Sequence, residues 1–499
     1  MKRVIFIKNT MVLTATSLIL RFAGMIFKIW LSARVGSEAI GLYQIIMSVY
    51  ICAASFATSG LSTAVTRLVT DELAVSRGGV KKIVSSGVRL TIFAAIICFA
   101  VLFFGADLIS SHIIGDIRAA FPVKILSLSL FFIGICSCFR GYFIARRKAL
   151  GSSVSQITEQ LIRIAVTATL ICTAKEINVV SATVAIVIGD TAAEIVASLL
   201  LFIMYRLDVK GVTADKKPQS SVKQLLNIAV PITSGRYLST FLRTAESTAV
   251  PRLLTAFGMT SAAALSSFGM IKGMALPLIL FPSAVLSAVS LLLIPEISEA
   301  KAKNNSVLLR STVFTVLKIT TLISVIVGFL FFFCGEAFGE IFYHENEVGR
   351  YIKLLAPLTP LMYIDSIADG MLKGMDKQSA LFRYSVTDSA IRLILIFFII
   401  KPFGINGFIG IMYLSNILTA FLHFRMLIKT ADIKLNVFSF FAFPVFLSAF
   451  VCYIIKIGVS ALGIAPTIKI IVFCAFSLVA YCVLLFAFGL LRKNEFSRQ

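Results

Sequence analysis

Apolar residues run along the chain in long segments that short polar connections separate. Each segment has about 20 mainly apolar residues, the length an α-helix needs to cross the hydrocarbon of a bilayer. Several segments contain Gly and Pro, which transmembrane helices tolerate. The pattern predicts about fourteen transmembrane helices, at 11–33, 41–64, 84–105, 121–139, 154–173, 181–204, 224–246, 268–293, 312–334, 354–372, 380–400, 406–424, 437–457 and 467–491.

Composition agrees with an all-α polytopic membrane protein. The chain is 58% hydrophobic and only 14% charged, whereas soluble domains are about 25% charged. Its mean hydropathy is +0.96. The first apolar segment is longer than the h-region of a signal peptide and lacks a cleavage site of small residues, so we interpret it as a retained helix.

The net charge of +23 predicts an orientation. Alternate connections, beginning with the N-terminus, hold roughly 28 Lys and Arg residues, whereas the other connections hold roughly 10. Because cations collect in cytoplasmic loops, both termini are expected in the cytoplasm, with an even number of spans. This distribution explains the basic excess without nucleic-acid binding, which we do not expect.

A polar stretch, RLDVKGVTADKKPQSSVK at 206–223, divides the chain into similar halves. We predict a six-helix lobe at 1–205, a cytoplasmic linker at 206–223, a second six-helix lobe at 224–430, and two additional helices at 431–499. Six helices preserve orientation, so the lobes should be related by an axis along the membrane normal, with a site between them near the midplane.

Charged landmarks recur between the halves at offsets of 229 and 215 residues. The pairs are Glu159 with Asp388, Arg163 with Arg392, Arg21 with Arg236, and Lys28 with Arg243. A duplicated six-helix unit would produce this recurrence.

Two arginines fall deep inside predicted helices. Arg21 lies in the first and Arg236 in the seventh. Insertion scales assign about 2.5–3.5 kcal/mol to such a cation at the centre of a helix, so each should face water, protein or an anion rather than lipid. Lys28 and Arg243 follow seven residues later, two turns along the same face. The sequence therefore predicts a cationic stripe on each helix, and these four residues are candidates for binding an anionic substrate.

Other interpretations remain open for individual charges. Lys28 and Arg243 have stems long enough to reach the headgroups, and Glu246 lies one turn from Arg243. Lys272, at the start of the eighth helix, is a weaker candidate for substrate binding.

Two helices carry an acid and an arginine four residues apart, Glu159 with Arg163 and Asp388 with Arg392. This spacing favours neutralising pairs within the membrane. Asp388, together with Asn416 on the next helix, is also a candidate site for a coupling Na⁺ or H⁺.

Cysteine and histidine predict no further chemistry. The nine cysteines lie almost entirely in apolar runs, without a zinc or disulfide pattern, and the three histidines are far apart. We therefore expect no metal site and no cofactor.

Three segments resemble a known family. They are LSARVGSEAIGLYQIIMSV at 31–49, FRGYFIARRKALGSSVSQITEQLIR at 139–163 and GMIKGMALPLILFPSAVLSAVSLLLIPEISEA at 269–300. They are similar to segments of the multidrug/oligosaccharidyl-lipid/polysaccharide exporter superfamily, in the branch of stage V sporulation protein B and related polysaccharide exporters. The resemblance extends over essentially the whole chain, and it implies a MATE-like fold of two pseudo-symmetric lobes.

The resemblance implies a flippase that moves a polyprenyl-diphosphate-linked sugar, such as a peptidoglycan precursor, by alternating access. Lipid II flippases of this superfamily carry an Arg-x-x-Gly-x-x-Arg run on the first helix. Arg21 and Gly24 fit this run, whereas the second cation, Lys28, comes one residue late. The expected partners are the lipid-linked saccharide, membrane lipids and a coupling Na⁺ or H⁺. We expect a monomer that catalyses no covalent change.

Two functions other than a flippase would each require residues of a different kind. A multidrug antiporter of the same fold would need buried carboxylates for cationic drugs, and residues 11–32 contain none. A membrane glycosyltransferase would need an acidic catalytic loop or a sizeable outer domain, and the longest predicted outer connection is 335–353.

Overall fold

The computed structural model describes residues 2–75, 79–210, 222–303, 305–433, 436, 438–463 and 465–490. These residues are predominantly α-helical and form no β-strand, which confirms the predicted all-α fold. Positions 211–221 of the predicted linker lie outside them.

Sixteen helices longer than a single turn are labelled here within the described ranges. They are α1 (Lys2–Ala74), α2 (Val80–Phe104), α3 (Ala120–Ser127), α4 (Ser129–Ala145), α5 (Ala149–Thr173), α6 (Val179–Val209), α7 (Val222–Ala256), α8 (Ser261–Gly269), α9 (Leu276–Leu280), α10 (Ser283–Ala302), α11 (Ser306–Tyr343), α12 (Asn346–Leu355), α13 (Thr359–Gly374), α14 (Gln378–Ala431), α15 (Phe443–Ser460) and α16 (Pro466–Ala487).

Several helices are long and apolar enough to cross a membrane. Eight qualify among the described residues, or nine if α3 and α4, which meet at 42°, form one bent span. Two of them are long enough for two crossings: α1 has 73 residues and α14 has 54. At 1.5 Å per residue they would measure about 110 and 80 Å, against about 30 Å of hydrocarbon. Each therefore accommodates two of the predicted spans, and the total of fourteen stays a prediction.

A glycine bends each of the two longest helices. Gly36 in α1 has φ 79° and ψ 168°, and Gly404 in α14 has φ 56° and ψ −137°. Both conformations are strongly unfavourable for residues with a Cβ. At Gly404 a Cβ would also lie 2.6 Å from the Phe257 ring. These glycines turn the chain where the sequence predicted short loops.

The chain forms two compact units. The first unit comprises Met1–Gly269 and Ser389–Phe408, and the second comprises Met270–Asp388 and Ile409–Gln499. The first unit thus contains residues from both predicted lobes, including Arg21 and Arg236. The lobe boundaries from the sequence stay a prediction.

Small residues bring helices of the first unit into close contact. A Cβ on Gly60 of α1 would lie 2.0 Å from the Ala229 carbonyl oxygen of α7. One on Gly41 would lie 2.0 Å from the Leu265 carbonyl oxygen of α8. Such approach is how membrane helices gain packing contacts without a hydrophobic driving force.

The segment 139–163 has a structural role at one end of the first unit. Tyr142 Oη donates to Asp208 Oδ2 at 2.7 Å, and Arg146 Nε donates to the same oxygen at 3.1 Å. Lys148 also binds this carboxylate. The three donors therefore fasten the α4–α5 turn to the end of α6.

Two apolar clusters lie among the described residues of the second unit. One joins α11, α13 and the last part of α14, with Leu317, Tyr363 and Leu427 buried. The other packs the C-terminal helices α15 and α16 against α11, through residues such as Ile326 and Tyr481. The two additional helices therefore share a core with α11.

The bend at Gly36 gives a stability prediction. We expect Gly36→Ala to lower the free energy of unfolding by about 1–3 kcal/mol through backbone strain, because no other atom lies within 4 Å of the added Cβ. Gly410→Ala is the control, since its Cβ also enters open space but φ is not positive there. The test is thermal unfolding of the purified protein in detergent, and equal midpoints for both variants would contradict the prediction.

Candidate functional site

The cationic stripe of α1 faces α5. Arg21 and Lys28 are exposed, and Gly24 lies between them at helical spacing, so the three share a face. A Cβ on Gly24 would lie 3.7 Å from Gln160 Nε2 of α5. The Arg21 and Lys28 side chains therefore border the surface of α5.

A network of buried and half-buried charges connects α4, α5 and α6. Arg163 Nε is 2.7 Å from Asp190 Oδ1, and Arg163 Nη2 is 2.9 Å from Glu159 Oε1. The other Glu159 oxygen is 2.5 Å from Arg140 Nη2. Tyr43 Oη donates to Asp190 Oδ2 at 2.8 Å. Two arginines and two carboxylates thus neutralise one another inside the helical bundle, as charges in a membrane must.

A third carboxylate, Glu194, belongs to the same network. It lies one turn after Asp190 on α6, is 7% exposed, and interacts electrostatically with Glu159 and Arg140. One of its oxygens, Oε2, is buried without a hydrogen-bond partner. Lys28 interacts electrostatically with Asp190 and Arg163. The α1 stripe is therefore coupled to the network.

The sequence predicted the pair of Glu159 and Arg163, but it did not lead us to Arg140, Asp190 or Glu194 as members of a charged network. Two of these could have been found, because Asp190 and Glu194 are carboxylates inside the predicted span 181–204. An intramembrane acid is by itself a reason to look for a partner.

The second cationic stripe lies on α7, which packs through its threonines onto α1. Thr233 Oγ1 accepts from the Gly60 backbone N–H at 3.1 Å, and Thr244 Oγ1 donates to the Ser48 carbonyl at 2.8 Å. Arg236 and Arg243 are exposed. The packing of α7 onto α1 therefore leaves both guanidinium groups accessible.

None of the four stripe cations forms an ion pair within the described part of the chain. Glu246, which the sequence left as a possible partner of Arg243, lies instead 3.4 Å from Arg392 Nε. Lys272 is half-buried in the π-helical turn Met270–Ala275 and has interactions of its own. Of these candidates, the accessible cations that form no ion pair among the described residues are therefore Arg21, Lys28, Arg236 and Arg243.

The candidate ion site on α14 has a polar lining. Asp388 is 5% exposed and accepts a hydrogen bond from Ser415 Oγ at 2.7 Å. The next residue, Asn416, donates through Nδ2 to the Met412 carbonyl at 2.7 Å. This hydrogen bond therefore places Ser415, the residue before Asn416, beside Asp388. Across the described residues, no three His, Cys, Asp or Glu side chains are grouped as a metal site.

Comparison with known protein families gives two matches. The model of a family described as "Polysaccharide biosynthesis protein" matches residues 6–301, and that of the family described as "MatE" matches residues 253–398. These matches cover the segments that carry the resemblance found in the sequence, and they confirm it.

Individual relatives extend over nearly the whole chain. Stage V sporulation protein B of Bacillus subtilis (strain 168) is 24% identical, over 99% of this chain and 97% of that protein. The lipid II flippase MurJ of the same organism is 22% identical, over 83% of this chain and 82% of its own. The chain is thus similar to membrane transporters along most of its length.

Solved structures show the same fold. The lipid II flippase MurJ in an inward closed conformation superimposes with a TM-score of 0.69 at 16% identity, covering 96% of this chain and 99% of its own. An inward-facing multidrug resistance MATE family transporter gives a TM-score of 0.65 at 14% identity. The match covers 85% of this chain and 98% of the transporter. The predicted MATE-like architecture is confirmed, and the chain is a multi-pass membrane protein.

The buried network predicts a large difference between two aspartate substitutions. Asp190→Asn should lower the free energy of unfolding by about 2 kcal/mol, less than a fully broken buried pair because Arg163 keeps Glu159. Asp107→Asn is the matched control: its side chain is 64% exposed in its pair with Lys124, so its loss should cost about 0.5 kcal/mol or less. Unfolding of both purified variants tests this, and equal losses would contradict a structural role for the network.

Proposed function

This chain belongs to the polysaccharide biosynthesis protein family, and on that premise we propose that it is a flippase for a polyprenyl-diphosphate-linked oligosaccharide. A peptidoglycan precursor is the favoured cargo, and alternating access is the favoured mechanism. Support comes from the relatives, one of which is a lipid II flippase. It comes also from the two cationic stripes of the first unit.

The proposal rests above all on the exposure of Arg21 and Arg236 and on their lack of ion pairs. Both lie within predicted spans, both are exposed, and neither pairs with a carboxylate among the described residues. A guanidinium left this way in a membrane is costly unless water or an anion meets it. A diphosphate is a suitable anion, because its oxygens accept pairs of parallel hydrogen bonds from the planar arginine fork.

The remaining cations would extend this site. Lys28 lies two helical turns beyond Arg21, and Arg243 lies two turns beyond Arg236. A diphosphate could therefore pass from the first cation of each stripe to the second. Lys272 would contribute from the start of the eighth predicted span. Arg163 repels Lys28, whereas Asp190 attracts it more weakly. The network therefore does not neutralise Lys28, and an anionic substrate would relieve this repulsion.

Transport by this route changes no covalent bond. The substrate keeps its diphosphate linkage, so the proposed function requires no nucleophile, general base or cofactor. The sugar would follow the diphosphate through the protein while the polyprenyl chain stays in lipid. We propose that the protein acts as a monomer.

Asp388 is the proposed site of a coupling cation, Na⁺ or H⁺. Its carboxylate is buried and accepts a hydrogen bond from Ser415, and Asn416, the residue after Ser415, would supply a further oxygen ligand. Carboxylate, hydroxyl and amide oxygens are suitable ligands for Na⁺, and the carboxylate alone is sufficient for H⁺. Glu159–Arg163 and Glu246–Arg392 are assigned as structural pairs.

Substitution of the two arginines tests the substrate site. We expect Arg21→Gln and Arg236→Gln each to reduce flipping by at least tenfold in reconstituted vesicles, since each removes a charged, bidentate phosphate contact worth about 1.5–3 kcal/mol. Arg21→Lys and Arg236→Lys should keep part of the activity, because the charge remains without the fork. The measurement is the fraction of a lipid-linked sugar that becomes accessible at the opposite leaflet.

Arg350→Gln is the matched control for these substitutions. Arg350 is an exposed arginine on α12, outside both stripes, and its replacement should leave flipping unchanged. Normal flipping by folded, inserted Arg21→Gln and Arg236→Gln proteins would eliminate the proposed site.

The proposed orientation places both termini in the cytoplasm. Reporter fusions after Arg77 and after Gln499 should therefore both give cytoplasmic signals, because cation-rich connections stay inside. An external signal at either fusion would contradict the even number of spans.

A further inference from the structure

A basic cavity opens in the second unit, away from both cationic stripes. It has a volume of about 640 Å³, within the roughly 300–1,000 Å³ range of small-molecule sites. Lys377, Arg425 and Lys429 line it together with Tyr384 and Thr430, and no carboxylate of the described residues does. The cavity therefore concentrates three positive charges around a space large enough for a polar headgroup.

Two lysines outside the cavity are paired with aspartates, whereas the three cations that line the cavity are not. Lys373 Nζ lies 2.5 Å from Asp369 Oδ2, and Lys301 Nζ lies 2.9 Å from Asp376 Oδ2. Within the described residues, Lys377, Arg425 and Lys429 form no ion pair with an acid. Like charges gathered in a concave site repel one another and attract a counter-ion, so the arrangement favours an anionic ligand.

The position of the cavity indicates which anion is available. It is formed by the α13–α14 connection and the C-terminal part of α14. Cation-rich connections of this set are predicted to face the cytoplasm. The cavity is therefore expected at the headgroup level of the cytoplasmic leaflet, where anionic phospholipids create a negative surface potential.

An exposed apolar stripe leads to the cavity along α14. Leu414, Ile417 and Phe421 are 49%, 49% and 57% exposed, and they precede Arg425 by steps of three and four residues, which keeps all four on one face. An acyl chain can lie along this stripe while its headgroup reaches Arg425. A free phosphate ion would make no use of the stripe.

The cavity wall is held in place from behind. The Tyr384 ring packs near His423, with 6.0 Å between ring centroids, and His423 Nδ1 lies 2.7 Å from Asp365 Oδ1. His423 is only 7% exposed. Tyr384 therefore packs near a buried histidine and lines the cavity, where its hydroxyl can donate a hydrogen bond to a phosphate oxygen.

We propose that this cavity binds the phosphate of an anionic phospholipid of the cytoplasmic leaflet, through Lys377, Arg425 and Lys429. Basic pockets between transmembrane helices are suited to such headgroups. The lipid is a resident ligand rather than the transported substrate, and the site shares no residue with the proposed diphosphate site. Its existence is therefore independent of the proposed function.

Native mass spectrometry of the full-length protein in detergent tests the site. The probes are phosphatidylglycerol, phosphatidylcholine and inorganic phosphate. We expect preferential retention of phosphatidylglycerol, and about thirty-fold weaker retention by R425Q/K429Q, which corresponds to about 1 kcal/mol for each removed cation. The matched control is K81Q/K82Q, which removes two exposed cations at the start of α2 and should retain the lipid like the wild type.

The outcomes separate the lipid site from its alternatives. Equal retention of phosphatidylglycerol and phosphatidylcholine would overturn the proposal, as would equal weakening by both double substitutions. Binding of inorganic phosphate in place of phosphatidylglycerol would assign the cavity to a free anion and also overturn it. If R425Q/K429Q does not fold, K377Q in the α13–α14 connection gives the same test, with about fivefold weaker retention expected.

Discussion

The cost of a charge inside hydrocarbon is the constraint on which this molecule depends. An ionised side chain there must meet an opposite charge, water or a ligand. The first unit meets this requirement in two ways. Arg140 and Arg163 are neutralised by Glu159 and Asp190 between packed helices, whereas Arg21 and Arg236 remain exposed on their helices. The first arrangement stabilises the fold, and the second is suited to a ligand that comes and goes.

The packing of the helices keeps these two kinds of charge distinct. Gly60 brings α1 against α7, and the first stripe borders α5 beside Gly24. A transporter needs this separation, because a substrate that moves between sites must not disturb the charges that hold the helices together. Glu246 pairs with Arg392 and so links α7 to α14, while Arg243 forms no ion pair among the described residues.

The hydrophobic pattern predicted the helical fold well, because long apolar segments have few other structures in a membrane. It also located the deep arginines from their position alone. It did not predict that Gly36 and Gly404 bend continuous helices, because the dihedral angles of a single glycine cannot be inferred from the sequence. Asp190 and Glu194 were not selected as site residues because the residues around them are mainly apolar. The partner of Glu246 could not be inferred at all, because Arg392 lies far away in sequence and only tertiary packing brings the two together.

The most direct measurement is equilibrium binding of a polyprenyl diphosphate to the purified protein, compared with the corresponding monophosphate. The wild type is expected to prefer the diphosphate. Arg21→Gln and Arg236→Gln should each weaken diphosphate binding at least tenfold, while Arg350→Gln should leave it unchanged. Equal affinity for the diphosphate in all four proteins would contradict the central claim that the two exposed arginines bind a phosphorylated lipid.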